Sequence, residues 1–395
     1  MLIALTVISF LLAILFLLAY IFATVKKKKS NKAKGAASVV FFAIAIVLLV
    51  IFLKQNNIKL FNKVKAYDAV QKFTQTSDTG YVADSVYYAN KSVYFTNGKN
   101  DLFVIDKNGA TTAKNGITSI GGKRTITAEL SQKGELILNG HFKYSEYESE
   151  RHEYNNTVIA KDVTKFSITD NSLMYITADG KLYALGFNEY GHLGDTTTKN
   201  KNEPVLVTTD IIDCDISDTH SMVVDKYNTL YAVGDNSYSQ YGTKTTIAST
   251  EFTKIMQGVK DVRVGNYYSL VLAVNGELFT SGDNELGQLG NGGSNKVGLI
   301  SILKGVKKID RIGNTCAALT NDGELYVWGE CKDIELSPVK VLDNVYDFAL
   351  TDDGIAVIDK NRNVLVGGND YKPETVLEFN AEIAEIEAQD TPDAV

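Results

Sequence analysis

DGKLYALGFNEYGHLG at residues 179–194 returns as NTLYAVGDNSYSQYG at 228–242 and as NGELFTSGDNELGQLG at 275–290. Self-similarity at a spacing of this size indicates a repeat architecture in which each copy is one supersecondary unit. In each copy, an apolar alternation typical of a β-strand follows a turn and ends at a glycine. The chain is therefore predicted to be an array of similar β units.

The same rhythm runs through the chain from about residue 69 onward. The strand after each turn ends at a glycine, with spacings of 42, 46, 48, 48, 47 and 39 residues between Gly98, Gly140, Gly186, Gly234, Gly282, Gly329 and Gly368. Further apolar alternation closes each unit, which gives about four short strands per unit. Four-stranded units repeated about an axis form a β-propeller. We predict an all-β, seven-bladed β-propeller over residues 69–388, with an acidic tail at 389–395.

Turn residues between the strands predict tight hairpins. Asn-Gly and Asp-Gly pairs favour type I′ turns, in which both central residues need positive φ. Such pairs occur at Asp179-Gly180, Asn275-Gly276 and Asp322-Gly323, and looser versions include Asn90-Lys91. For closure of the ring, we expect residues 381–386 to form the last strand, beside an entering strand at residues 81–89.

The glycine-rich loop after the strand has a structural explanation in the three clearest units. Asparagine side chains readily bond to their own backbone a few residues on, so Asn188, Asn236 and Asn284 are expected to tie their loops. The apolar residue that precedes the final glycine is expected to be buried between blades, at Leu193, Tyr241 and Leu289. His192 occupies a position that is glutamine in the next two copies.

These loops, GFNEYGHLG at 186–194, GDNSYSQYG at 234–242 and GDNELGQLG at 282–290, resemble the repeat of the RCC1 (regulator of chromosome condensation) family. The resemblance covers residues 81–388; it is sharp in three units, partial in the unit of Trp328 and Gly329, and faint in the other three. It implies a seven-bladed propeller. RCC1 itself drives nucleotide exchange on a small GTPase and contacts chromatin, and some secreted bacterial propellers of this type bind and inhibit β-lactamases.

Two long apolar runs precede the repeats. Residues 2–25 are apolar without a charge, and residues 36–53 form a second apolar run that stops at Lys54. Both are long enough to cross a bilayer, so we predict transmembrane helices at 1–25 and 36–53 with a tether at 54–68. The loop at 26–35 carries six lysines, and the positive-inside rule places it in the cytoplasm. The propeller is then expected outside the cytoplasm of a bacterial envelope, anchored in the lipid bilayer; the rival interpretation is a cleaved signal peptide.

Charge separates the two ends of the chain. Residues 39–395 hold 34 basic and 47 acidic residues, a net charge of −13, which is unfavourable for a phosphate backbone and argues against nucleic acid as a partner. The three cysteines form no CxxC pair. Cys316 and Cys331 fall in one unit; we interpret them as small apolar residues, and their pairing stays open.

The sequence contains no catalytic or metal-binding motif, and we expect no cofactor. Asp213, Asp215 and Asp218 lack the glycine and terminal glutamate of a calcium loop. The expectation is therefore a non-enzymatic, protein-binding module. A structural subunit of an envelope complex is an alternative. A hydrolase with Asp218, His220 and Asp352 at the mouth of the channel is a weaker one.

The segment 141–154 replaces the glycine-rich loop of its unit and is rich in tyrosine and acidic residues. Tyrosine is favoured at interfaces, and loops on rigid scaffolds carry function disproportionately. Because other tyrosines also fall near blade ends, the predicted partner-binding residues are Tyr144, Tyr147, Tyr154, Tyr190, Tyr238 and Tyr267.

Overall fold

The computed structural model describes residues 83–106, 109–143, 153–294, 297–331, 334–352, 354–368 and 374–377. These residues form seven four-stranded antiparallel sheets, each built from four consecutive strands. The predicted all-β, seven-bladed propeller is confirmed. The predicted membrane spans, their lysine loop, the tether and the acidic tail lie outside the described residues. Within the described residues, no helix has the length and apolar character that a membrane crossing requires.

Blade 1 contains β1 (Ala83–Ala89), β2 (Ser92–Asn97), β3 (Asp101–Asp106) and β4 (Gly109–Asn115). Blade 2 contains β5 (Ile117–Gly122), β6 (Ile126–Ser131), β7 (Leu136–Gly140) and β8 (Tyr154–Ala160). Blade 3 contains β9 (Val163–Ile168), β10 (Ser172–Thr177), β11 (Leu182–Gly186) and β12 (Lys201–Thr208). Blade 4 contains β13 (Ile211–Ile216), β14 (His220–Asp225), β15 (Thr229–Gly234) and β16 (Ser249–Gln257).

Blade 5 contains β17 (Val259–Val264), β18 (Tyr268–Ala273), β19 (Leu278–Gly282) and β20 (Val297–Leu303). Blade 6 contains β21 (Val306–Ile312), β22 (Thr315–Thr320), β23 (Leu325–Glu330) and β24 (Ile334–Leu342). Blade 7 contains β25 (Val345–Thr351), β26 (Gly354–Asp359), β27 (Val364–Gly367) and β28 (Glu374–Leu377).

The first strand of every blade lines the central channel. Each of these strands contacts the first strand of the next blade, and β1 contacts β25, so the seven blades form a closed ring. Strand β1 pairs with β2 of its own blade, and β28 pairs with β27. Blade 7 is therefore completed by residues 374–377. The expected last strand at 381–386 lies outside the described residues.

The hydrophobic core lies between the blades. Alternate residues of one strand contact opposite neighbours: Val223 packs in a cluster with blade 3, whereas Met222 and Val224 pack with blade 5. Such alternation follows from the period of two along a strand. A single blade leaves both faces apolar, and its neighbours cover them.

Most of the hairpin turns differ from the expected type. Around Asp179-Gly180 only Gly180 has positive φ, at 78°, and Thr177 N donates to Lys181 O at 3.0 Å. This is a three-residue loop, in which a type I turn is followed by a left-handed residue. The two-residue type I′ pattern occurs instead at Asn90 and Lys91, where φ is 44° and 60° between β1 and β2.

The first unit was assigned wrongly from the sequence. Gly98 lies in the turn between β2 and β3, whereas the other glycines of the series mark the end of a third strand or adjoin it. In blade 1, β3 ends at Asp106 and β4 begins at Gly109, so no long glycine-rich loop stands between them. Without that loop, blade 1 lacks the repeat signature. The turn at Asn90 joins β1 to β2, whereas the turns aligned with it in the other units join the second strand to the third. The count of seven units is unaffected.

Cys214 and Cys316 are thiols of the core. Cys214 and Cys316 are buried and Cys331 is half-buried. Burial raises the pKa of Cys214 and Cys316 well above the ordinary thiol value, as expected for small residues of the core.

Candidate functional site

Two sets of loops meet at one end of the propeller, called here the upper face. Because the strands of a blade alternate in direction, the loops after first strands and after third strands lie at the same end. Backbone bonds join them: Phe187 N donates to Asn171 O at 2.9 Å, and Asp283 N donates to Tyr267 O at 2.8 Å. The turns between second and third strands, such as that of Tyr227, lie at the opposite, lower face.

The glycine-rich loops of the upper face are held by buried asparagines, as predicted. Asn236 is fully buried; its Oδ1 accepts from Tyr241 N at 3.0 Å and its Nδ2 donates to Thr245 O at 2.8 Å. Asn188 and Asn284 make the equivalent bonds to Leu193 N and Leu289 N at 2.9 Å. The three apolar residues that these bonds position are also buried, which makes the loops a stiff platform.

Blade 3 differs from its neighbours inside this platform. In blade 4, Gln240 Nε2 donates to Asp235 Oδ2 at 2.9 Å, and Gln288 bonds Asp283 in the same way in blade 5. In blade 3 both positions change together, to Phe187 and His192, whose ring centroids lie 5.9 Å apart. An aromatic contact thus replaces a hydrogen bond and turns this part of the loop apolar.

Four aromatic rings form what we call the aromatic arc: Phe187, Tyr190, Tyr238 and Tyr267. Tyr190 and Tyr267 are exposed, at 46% and 38% of their surface. Tyr190 packs edge-on against Phe187, with ring centroids 6.3 Å apart, and Tyr238 lies 4.8 Å from Tyr267 on the next blade. The arc therefore runs over blades 3, 4 and 5.

Tyr267 interacts electrostatically with other residues of the upper face. Partial burial raises the pKa of Tyr267, and the nearby Tyr190, Tyr238, Asp235 and Asp218 raise it further. Tyr267 therefore keeps its hydroxyl proton at neutral pH and can act as a hydrogen-bond donor or acceptor.

Three of the predicted partner-binding tyrosines, Tyr190, Tyr238 and Tyr267, lie on this face, and Tyr154 does not join them. Tyr154 is 6% exposed and packs edge-on against Phe142 at 5.9 Å in the core of blade 2, so its ring is not offered to a partner. Tyr144 and Tyr147 lie outside the described residues. Phe187 was not predicted from the sequence as a site residue. The corresponding position is aspartate in the next two copies, and a single aromatic replacement does not indicate whether its side chain is exposed.

The residues of the weaker hydrolase hypothesis bond to different partners. Asp218 accepts from Thr169 Oγ1 and Asn171 Nδ2, both at 3.0 Å. Asp352 accepts from Tyr88 Oη at 3.1 Å. His220 is fully buried, and its Nε2 lies 2.9 Å from Ser269 Oγ of the next blade. Burial lowers the pKa of His220 to about 3, so the ring stays neutral at physiological pH. Its bond to Ser269 joins blades 4 and 5.

The three clustered aspartates are also divided among different partners. Lys165 forms an ion pair with Asp213, and Asp215 accepts from Ser167 Oγ at 2.5 Å and from Val264 N at 2.7 Å. Among the residues that the structure describes, no group of three His, Cys, Asp or Glu side chains is placed to hold a metal ion.

The upper face surrounds a central cavity of about 660 Å³. The first strands of all seven blades contribute to its wall. Arg311 crosses it from blade 6, and its Nη2 lies 3.7 Å from Asp215 Oδ2 of blade 4. A cavity of this size accepts several side chains of a partner.

The repeat geometry can now be compared with known proteins. The model of the Regulator of chromosome condensation (RCC1) repeat matches residues 179–224, which run from the turn before β11 into β14 of blade 4. The chain therefore contains an RCC1-type repeat at residues 179–224. No curated protein sequence is significantly similar to it.

Solved RCC1-type propellers share this fold. Yeast RCC1 (Prp20) bound to Kap60 has a TM-score of 0.59 at 13% identity, covering 79% of this chain and 84% of that one. Prp20p from Saccharomyces cerevisiae, described with its binding to Gsp1p and histones, has 0.57 at 12% identity, with coverages of 79% and 86%. Human WBSCR16 has 0.55 at 16% identity, with coverages of 68% and 84%. At such identities the likeness concerns the fold.

Proposed function

We propose that this RCC1-repeat propeller is a docking module for a protein partner, bound on the upper face through the aromatic arc. The observation that carries the proposal is the arc itself, in which exposed Tyr190 and Tyr267 stand beside Tyr238 on loops tied by buried asparagines. Tyrosines held in this way offer a large contact area at low entropic cost.

The scaffold supports this role because its upper-face loops are already ordered before a partner binds. Loops whose backbone groups are already bonded lose little conformational freedom when a partner binds, so more of the contact energy appears as affinity. Among the solved propellers of the same fold, yeast Prp20 is bound to Kap60, and Prp20p is described with its binding to Gsp1p and histones. We take from them the use of the propeller as a platform for proteins.

The proposal includes an anchor. The apolar runs 2–25 and 36–53, with six lysines between them, support a two-span membrane hairpin with the propeller outside the cytoplasm. The partner is then a protein of the cell envelope or surface. Protease added to intact cells should degrade the propeller; its full protection, with degradation after lysis, would place it on the cytoplasmic side.

The docking surface is tested by photo-crosslinking in intact cells, comparing the native protein with a Tyr190→Ser, Tyr238→Ser and Tyr267→Ser triple variant. A matched control is Tyr227→Ser, whose side chain is 69% exposed but lies at the lower face. We expect the triple variant to lose the crosslinked protein that the native chain and the control retain. Equal crosslinking by all three proteins would show that the partner does not bind through the aromatic arc.

A further inference from the structure

The wall of the central cavity has an excess of positive charge. Six basic and three acidic residues line it: Lys91, Lys123, Arg124, Arg263, Lys308 and Arg311, against Asp215, Asp310 and Asp352. This is the reverse of the chain beyond the lysine loop, which carries a net charge of −13. The overall composition gives only a net charge, so it does not reveal that the channel of this acidic domain is locally cationic.

The carboxylates of the wall already accept hydrogen bonds from other groups of the propeller. Asp310 Oδ2 accepts from Leu350 N at 2.9 Å, and its Oδ1 accepts from Arg311 N at 2.8 Å. Asp215 accepts from Ser167 and Val264, and Asp352 accepts from Tyr88. These bonds use lone pairs that would otherwise be available to the cations of the wall.

Two adjacent cations of the wall face the opening. Lys123 and Arg124 follow directly after β5, and both side chains are exposed. Arg124 contributes its backbone N–H to Asp170 Oδ1 at 3.0 Å, which fixes the backbone while its guanidinium remains at the mouth. We call Lys123, Arg124 and Arg311 the cationic rim.

The rim residues repel one another. Desolvation lowers the pKa of Lys123, and Arg311 lowers it further. Asp218 and Asp170 act in the opposite direction but more weakly, and Arg124 adds to the lowering. An anion placed among these side chains would relieve the repulsion, which is an electrostatic reason for a ligand to enter here.

We propose that the cationic rim binds an acidic segment of the partner protein, with carboxylates entering the mouth of the channel. This inference rests on the proposed docking function, because it names the chemistry of the segment that lies next to the aromatic arc. The turn after β9 connects the two regions, since Asp170 Oδ1 accepts from Arg124 N at 3.0 Å and Asn171 O accepts from Phe187 N at 2.9 Å. One partner segment can therefore contact the arc and the rim together.

A short acidic peptide fits this mouth better than a long polyanion does. Its few carboxylates reach the rim locally, whereas a nucleic acid would also lay phosphates over the acidic remainder of the domain. Asp170, Asp218 and Asp235 lie on loops of the upper face outside the cavity wall, and would repel an extended phosphate backbone.

The test measures the binding of a fluorescein-labelled (Glu-Ser)6 peptide to the full chain in detergent, by fluorescence anisotropy at about 20 mM salt and again at about 300 mM. The rim variant carries Lys123→Gln and Arg124→Gln. The control carries Lys254→Gln and Lys304→Gln, two exposed lysines away from the channel, and has the same net charge. Arg311 is left unchanged because it pairs with Asp215.

We expect the rim variant to weaken peptide binding by about tenfold, the control by less than about twofold, and the salt dependence to be lost with the rim. Equal affinity of the rim variant and the control would overturn the inference, as would binding of a (dT)12 oligonucleotide as tightly as the peptide. The (Glu-Ser)6 sequence contains no aromatic residue, and displacement by unlabelled (Glu-Ser)6 excludes binding through the label, so the test is independent of the arc. Arc-dependent crosslinking without peptide binding would end this inference alone.

Discussion

Asp347 of blade 7 accepts a hydrogen bond from the backbone of Val86 in blade 1, with 3.0 Å between Val86 N and Asp347 Oδ2. The two residues are 261 positions apart and close the ring. The same bond joins Asp215 to Val264 N and Asp310 to Leu350 N around the channel. An inward carboxylate that binds the next blade is therefore a repeated device, and at Asp347 it replaces a shared strand.

Replacing Asp347 with alanine should open this junction. Val86 N would lose its buried acceptor and Lys308 its ion-pair partner, for an expected loss of about 2–4 kcal/mol in the free energy of unfolding. Urea unfolding measures it. Asp347→Asn, which keeps an acceptor, should cost less, and Asp343→Ala, at an exposed pair with Lys340, should leave the midpoint nearly unchanged. An unaltered midpoint for Asp347→Ala would show that the apolar contacts of blades 1 and 7 close the ring alone.

The closing bond illustrates what the sequence could not predict. Turn and loop signatures are local, so the strand order, the count of seven and the roles of Asn236 and Leu289 followed from single repeats. The partner of Asp347 depends on which strands become neighbours after the ring closes, and no spacing in the chain records it. Asp213 and Asp215 are likewise close in the sequence, yet only Asp215 also binds blade 5, through Val264 N.

The candidate site also combines residues that the repeat pattern predicts with residues that only the folded ring brings together. Tyr190 and Tyr238 occupy one repeat position and were predictable as neighbours on one face. Tyr267 comes from a different loop, and only the alternating direction of the strands brings its ring to Tyr238. Tyr154 is not a surface residue, because its ring packs against Phe142 in the core of blade 2.

Asn236→Ala should destabilise the platform below the arc. The substitution leaves Tyr241 N and Thr245 O without their partners in a buried place, and we expect a loss of about 2–4 kcal/mol. Asn236→Asp should not restore it, because a carboxylate cannot donate to Thr245 O. Asn155→Ala, at an exposed side chain of β8, provides the comparison. Hydrogen exchange at Tyr241 should be faster in Asn236→Ala, where its N–H loses the acceptor, and unchanged in Asn155→Ala.

The paired change in blade 3 predicts coupling between Phe187 and His192. His192→Gln alone places an amide beside a phenyl ring, whereas Phe187→Asp with His192→Gln recreates the pair seen at Asp235 and Gln240. We expect the double variant to be more stable than the sum of the single changes by about 1 kcal/mol. A double-mutant cycle from urea unfolding measures this energy. A coupling indistinguishable from zero would show that the two positions vary independently.

Two buried histidines predict that the fold weakens in mild acid. Burial lowers the pKa of His192 to about 4, with a weaker opposing effect of Asp218, and that of His220 to about 3. Both stay neutral in the folded chain below the pKa of about 6.5 that they regain on unfolding, where the unfolded chain takes up protons. Their stabilising effect is thus complete above pH 6.5 and is lost as the pH falls toward 4.

Each histidine should remove about 2 kcal/mol of stability between pH 6.5 and pH 5. Urea unfolding at these two pH values measures the loss, and the variant with Phe187→Asp and His192→Gln should show a smaller one because a single buried histidine remains. Asn155→Ala, at an exposed side chain of β8 that does not titrate, should leave the loss as it is in the native chain. Equal losses in all three proteins would mean that other groups set the acid sensitivity of the propeller.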